Sequence, residues 1–238
     1  MWEFVFVCLI GFTAASIQSS TGFGFGILAM GLWPLILSYT DASLMVIICT
    51  TCLTGFIAIR NIRHVKAKII IVPAILALVG NYLGLTCMMR SDNSFMLKLL
   101  GVFLLVLSAY FFLFAHRIQI KSNVFSAIVA GFATVGLSGL FNIGGPPMVL
   151  YYSVVIKEKN AYRATLQMFF LINLLFKICY FLIIGRTIEN LFALPFALGG
   201  SVAGIAAGSY IFNRLPVEKV KRAVYGLMAL MGLWYIIQ

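Results

Sequence analysis

Apolar residues along this chain do not alternate with polar ones; they run in blocks separated by short charged or turn-forming stretches. Ten blocks stand out, at about 3–20, 27–39, 42–60, 67–89, 95–115, 122–140, 147–156, 161–184, 188–212 and 219–237. A helix needs about 20 residues to cross the hydrocarbon of a bilayer. Eight blocks approach or exceed that length, and blocks 27–39 and 147–156 fall short of it. Each short block directly follows a glycine-rich motif. The first motif is Gln18-Ser19-Ser20-Thr21-Gly22-Phe23-Gly24-Phe25-Gly26, and the second is Ser138-Gly139-Leu140-Phe141-Asn142-Ile143-Gly144-Gly145-Pro146-Pro147. The expected fold is an all-α polytopic membrane protein with eight long transmembrane helices and two short limbs of broken helices.

Helix breakers inside apolar blocks need a physical reason. Glycine admits backbone angles that other residues resist, and proline removes an amide donor and stops a helix. In hydrocarbon every freed backbone group must find a partner, so a broken helix survives only against protein or a wet cavity. One break per half of the chain is the sequence sign of a transporter whose site lies between two repeats. The expectation is that the limbs starting at Ile27 and Met148 meet near the midplane.

Composition sharpens this picture. With 63% hydrophobic and 10% charged residues and a mean hydropathy of +1.08, the chain cannot hide its apolar surface as a soluble domain. Residues 1–238 are expected to form one transmembrane domain, with no enzyme module and no catalytic residues. The formal charge of +11 would also suit a nucleic-acid binder. The cations, however, occupy a few short loops: Arg60, Arg63, Lys66 and Lys68; Arg117 and Lys121; Lys157, Lys159 and Arg163; and Arg214, Lys219, Lys221 and Arg222. That pattern sets membrane orientation and argues against nucleic acid as a partner. Placing the four loops in the cytoplasm puts both termini outside and gives each half five segments, an odd number. The second half (about 119–238) is then inverted relative to the first (about 1–118). An offset of 124 residues also superposes Gly80 on Gly204, Gly84 on Gly208, Arg90 on Arg214 and Lys98 on Arg222. The stripes Gly80-xxx-Gly84 and Gly200-xxx-Gly204-xxx-Gly208 suit close helix packing.

Other features narrow the chemistry. Cys8, Cys49, Cys52, Cys87 and Cys179 all lie in apolar blocks and form no disulfide framework. Cys49 and Cys52 have redox spacing, which keeps a membrane sulfur-transfer protein as an alternative. No Asp, Glu or His lies in the core of a block, so no proton relay, metal site or cofactor is expected. The N-terminal block carries Glu3 rather than a basic patch and reads as part of the mature protein. Trp2, Trp33, Tyr39, Trp234 and Tyr235 stand near block ends, where interfacial anchoring is expected.

With these motifs in hand, the chain resembles the sulfite exporter TauE/SafE family, also called TSUP, over essentially its whole length. The resemblance rests on Gly22-Phe23-Gly24-Phe25-Gly26 followed by Pro34, on the Gly139–Pro147 motif and on the duplicated glycine stripes. It implies two repeated halves, the bacterial cytoplasmic membrane, and small anions as substrates, often sulfur-containing: sulfite, sulfonates such as sulfoacetate, and related organic anions. The family's fuller glycine run is interrupted here by Phe23, Phe25, Asn142 and Ile143, which leaves room for a bulkier or differently shaped substrate.

A small anion at the midplane must be given hydrogen-bond donors in place of water. Broken helices present free amides and a positive dipole end. The candidate site therefore comprises Gln18, Ser19, Ser20, Thr21, Gly22, Phe23, Gly24, Phe25 and Gly26 at the first break. At the second it comprises Ser138, Phe141, Asn142, Ile143, Gly144, Gly145 and Pro146. Phe23, Phe25 and Phe141 could gate the site or simply pack. Lys177 is the one ionisable side chain well inside a block, with Asn173 one turn away and Gln167 on the same broad side. It either faces the anion path or snorkels outward. The reading is a secondary transporter, an exporter or facilitator since the membrane potential drives anions outward; an anion channel is its kinetic variant. The expected partners are the substrate and the lipid bilayer, and a homodimer is compatible with the chain.

Overall fold

The computed structural model describes residues 2–21, 24–114, 134, 137–211 and 217–238, without the side chains of residues 20, 21, 114, 209–211 and 217–221. The helices are α1 (Trp2–Thr21), α2 (Phe25–Leu32), α3 (Tyr39–Arg60), α4 (Ala67–Arg90), α5 (Asn93–Phe114), α6 (137–141), α7 (Gly145–Val155), α8 (Lys159–Ile183), α9 (Ala193–Ile211) and α10 (Val217–Ile237). Among the described residues α1, α3, α4, α5 and α8 are long and apolar enough to cross a membrane; Ala193–Gly208 and Arg222–Ile237 are shorter apolar stretches. Most of block 122–140, Gly22, Phe23, the basic loop Arg117/Lys121 and Arg214 lie outside the described residues.

Helix ends differ from the block ends for identifiable reasons. α3 begins at Tyr39 rather than residue 42 because Ser38 caps it, its hydroxyl accepting the Asp41 amide at 3.1 Å. The Asp41 carboxylate in that first turn is buried rather than lying in a loop, and accepts the Glu189 amide at 3.2 Å. α7 begins at Gly145, so Pro146 and Pro147 fall in its first turn, where a missing donor is harmless. Block 27–39 becomes the eight-residue α2 followed by a 3-10 turn at Trp33–Leu35, where Pro34 sits. α9 starts at Ala193 rather than 188, after a turn in which Gly185 takes φ +68°.

The chain forms two compact units, and they are not its two halves. One comprises Met1–Val46, Arg90–Gln119 and Ile188–Gln238; the other comprises Ile47–Met89 and Ile120–Thr187. Each therefore joins helices from both halves of the sequence.

In the first unit α1 packs along α9 and α5 along α10. The α9 stripe makes its approach possible: a Cβ on Gly200, Gly204 or Gly208 would stand 2.1, 2.3 or 2.4 Å from Cys8 O, Phe12 O or Ser19 Oγ. The Ser16 hydroxyl bonds Gly204 O across the same contact at 2.9 Å. On α5 and α10, Gly101 and Gly232 meet backbone to backbone, and Ser108 donates to Tyr225 O at 2.8 Å. Shifting each residue by the offset of 124 exchanges these two contacts.

Three of the aromatic anchors expected at interfaces are instead core. Trp33, Tyr39 and Tyr235 are buried, whereas Trp2 and Trp234 are exposed. A buried indole or phenol needs a partner for its polar atom. Trp33 donates to Val7 O at 3.3 Å and Tyr235 to Gly31 O at 2.9 Å.

In the second unit the stripe of α4 meets α6. A Cβ on Gly84 would lie 2.6 Å from the Gly139 Cα, and one on Gly139 would press the Gly80 carbonyl. An apolar cluster of Ile70, Ala74, Met148, Tyr152, Leu166 and Phe169 joins α4, α7 and α8 beside it.

These contacts set a test. Gly204→Val must push α1 off α9, an overpacking of about 1–3 kcal/mol, and lower the melting temperature of the solubilised protein by at least about 3 °C. Gly199→Ala, where nothing lies within 4 Å of the added carbon, leaves it unchanged.

Candidate functional site

Both motifs interrupt helices, and each does so through a left-handed residue. In the first unit α1 ends at Thr21 and α2 starts at Phe25, with Gly24 between at φ +111°. A Cβ there would find Ile17 only at 3.6 Å, so the glycine is required by its backbone angle, not by space. Around this break Gln18 is buried, and the Ser19 hydroxyl is returned to its own helix, donating to Ser16 O at 2.9 Å. Phe25 points into the core, edge-on to Trp33 with ring centroids 5.7 Å apart, and Gly26 is half-buried. Gly22 and Phe23 lie outside the described residues, as do the side chains of Ser20 and Thr21.

The second break is built in more detail. α6 ends at Phe141, and Asn142 takes φ +57°, the one positive-φ residue other than glycine among those described. Asparagine tolerates that conformation better than most side chains. The Asn142 amide closes on Ser138 O and the Ile143 amide on Leu137 O, both at 3.1 Å. The chain then doubles back along α6. A Cβ on Gly144 would stand 2.6 Å from Ser138 Cβ and 2.8 Å from Thr134 Cγ2. Phe141, Ile143 and Pro146 are buried here, and Asn142 and Gly145 are half-buried.

Lys177 completes this break from α8. Its ammonium donates to the Ser138 carbonyl at 2.5 Å and to Asn142 Oδ1 at 2.8 Å. The side chain is 2% exposed, so the snorkelling expectation fails: the charge turns inward to the end of α6. A cation at a helix C-terminus meets the negative end of the dipole and the last unpaired carbonyls. The same bond to Asn142 holds the left-handed residue in place. One turn earlier, Asn173 donates to Phe169 O and accepts from Asn81 Nδ2, both at 2.7 Å. Gln167, two turns further back, is buried but shares none of these bonds.

The electrostatic result follows from the order of the elements. The negative end of α6 is answered by the Lys177 ammonium, and the positive end of α7 begins four residues later. Pro146 and Pro147 carry no amide hydrogen, so the N-terminal amides of α7 that make no bond within the helix are those of Gly144 and Gly145. The break thus sets the Lys177 ammonium at the end of α6 and the N-terminal end of α7 close together along the chain.

Sequence reasoning missed Asn81. It is fully buried, and its Oδ1 has no hydrogen-bond partner among the described residues. A polar side chain within the Gly80–Gly84 stripe of an apolar block was the available signal. The Thr86 and Tyr180 hydroxyls, 3.0 Å apart, were missed too. Cys49 is buried and Cys52 exposed, and none of the five cysteines is in a disulfide.

Comparison with known proteins bears on this arrangement. The family model described as "Sulfite exporter TauE/SafE" matches residues 7–235, nearly the whole chain. Neither the curated proteins nor the solved structures compared with the chain gave a match.

Lys177→Met removes the cap of α6. A hydrogen bond from a charged donor contributes about 1.5–3 kcal/mol, so amides 142 and 143 should exchange with solvent at least about tenfold faster. Lys177→Arg should preserve most of the protection. Unchanged exchange in Lys177→Met would show that Asn142 holds its conformation without the cation.

Proposed function

Because the chain belongs to the sulfite exporter TauE/SafE family, a family of membrane transporters for sulfite-type anions, we propose that it carries small sulfur-containing anions across the cytoplasmic membrane by alternating access. Sulfite and small organosulfonates such as sulfoacetate are the substrate types. The carrying observation is the second break: a buried cation from α8 bonds the chain just before the N-terminal end of α7. A desolvated anion needs such an environment, which is preorganised and costs no rearrangement at the moment of binding.

In this reading the substrate contacts are the main chain of Gly144 and Gly145, with Ser138, Asn142, Asn173 and Lys177 around them. Gln18, Ser19, Ser20, Thr21 and the Gly22–Gly26 main chain supply the matching contacts of the first break, and Phe141, Ile143, Pro146 and Gln167 shape the surroundings. The two halves are inverted repeats, with one break in each. Support comes from the α5–α10 pairing, whose two polar and glycine contacts exchange under the same offset that superposes the glycine stripes. The α4–α6 and α1–α9 crossings repeat it, since each sets a stripe helix of one half against the helix before a break in the other. Transport runs outward, the direction in which an inside-negative potential drives anions, and both termini face outside.

Purified protein in liposomes should move sulfite or a small sulfonate saturably, at fewer than about a thousand ions per second. Gly145→Leu should cut that flux at least about tenfold while the chain still inserts. Non-saturating flux at higher rates would make it a channel, and no flux of any sulfur oxyanion, sulfonate or carboxylate would end the proposal.

A further inference from the structure

The second unit gathers a basic face that the sequence divides between two loops about a hundred residues apart. Arg60, Arg63, Lys66 and Lys68 follow α3, and all four are exposed. Lys157, Lys159 and Arg163 stand at the start of α8 and are exposed as well. The fold brings the two stretches together: the Lys66 amide donates to Thr165 Oγ1 at 3.1 Å, and the Ile62–His64 turn packs on α8. Beneath them Val65, Ile69 and Tyr162 close over the apolar cluster that contains Ala161 and Leu166.

Three observations say what this face meets. Glu158 is the sole carboxylate in either stretch, and no ion pair joins any of the seven cations among the described residues. The cations mark the end of α3 and the starts of α4 and α8, helices apolar and long enough to cross a bilayer, so they stand at headgroup depth. Immediately below them Ile59, Ile62, Ile71 and Val72 present exposed apolar side chains, the surface that acyl chains cover. Phosphate above and hydrocarbon below describe one kind of molecule.

We propose that this face is a binding site for acidic phospholipids, their phosphates held among the loop cations and their chains laid against α3 and α4. Two loops contribute seven cations to one patch, and each such residue near an anionic surface adds to the attraction. The attraction is electrostatic, so it weakens as salt shortens the screening length. The inference does not depend on what the protein carries.

The test uses the full chain in nanodiscs of phosphatidylcholine doped with labelled phosphatidylglycerol. The protein should enrich phosphatidylglycerol at its surface at least about tenfold over labelled phosphatidylcholine, with the enrichment falling as salt rises. The combined variant Arg63→Gln, Lys66→Gln, Lys157→Gln, Lys159→Gln should lose most of it, whereas Lys98→Gln, an exposed cation of the other unit, should keep it. Equal retention of the two lipids by the unaltered protein, a comparison that needs no variant to fold, overturns the proposal. So does full enrichment in the fourfold variant. Displacement of the lipid by millimolar inorganic phosphate would identify a free-anion site instead and overturn it too.

Discussion

A helix interrupted inside an apolar environment leaves carbonyls and amides that water cannot reach, and everything distinctive about this protein answers that constraint. At the second break the answer is Lys177. Its ammonium takes the Ser138 carbonyl and the Asn142 side chain, so one residue satisfies the end of α6, offsets its dipole and pins the left-handed turn. A buried ammonium is costly unless it is paired and hydrogen-bonded, and here the pairing partner is a helix end rather than a carboxylate. The break and the charge therefore stabilise each other.

That mutual dependence connects packing to function. The α6 carbonyl can be capped from α8 because Gly139 lets α4 lie against α6 without side chains between them, and Asn81 and Asn173 tie α4 to α8 one turn away. Glycine contacts supply the proximity, and the amide bond and the ammonium supply the register. With the negative helix end already answered, the start of α7 is left with its positive end and few donors. If that end receives the anion, as proposed, the two prolines that remove amide donors limit the grip.

Much of this was legible before any coordinates. The membrane class, the two breaks and the packing role of Gly84, Gly200, Gly204 and Gly208 follow from local rules, because glycine and proline act on their own backbone wherever they stand. Residues whose role depends on a distant partner were misjudged. Trp33, Tyr39 and Tyr235 read as interfacial anchors because they stand at block ends, yet they are core. Lys177 was balanced between the path and the membrane surface, and its bonds to α6 belonged to neither expectation.

By itself the sequence determined which segments are helical, where they must break, and which faces are small enough to touch, since each depends on residues within a turn of one another. Only the tertiary structure decided that each compact unit draws on both halves, that Lys177 serves the end of α6, and that two basic loops form one face. Those outcomes depend on which helices become neighbours. In a chain where nearly every helix is apolar all round, hydrophobicity cannot choose among neighbours; close glycine contacts and a few buried polar bonds make the choice.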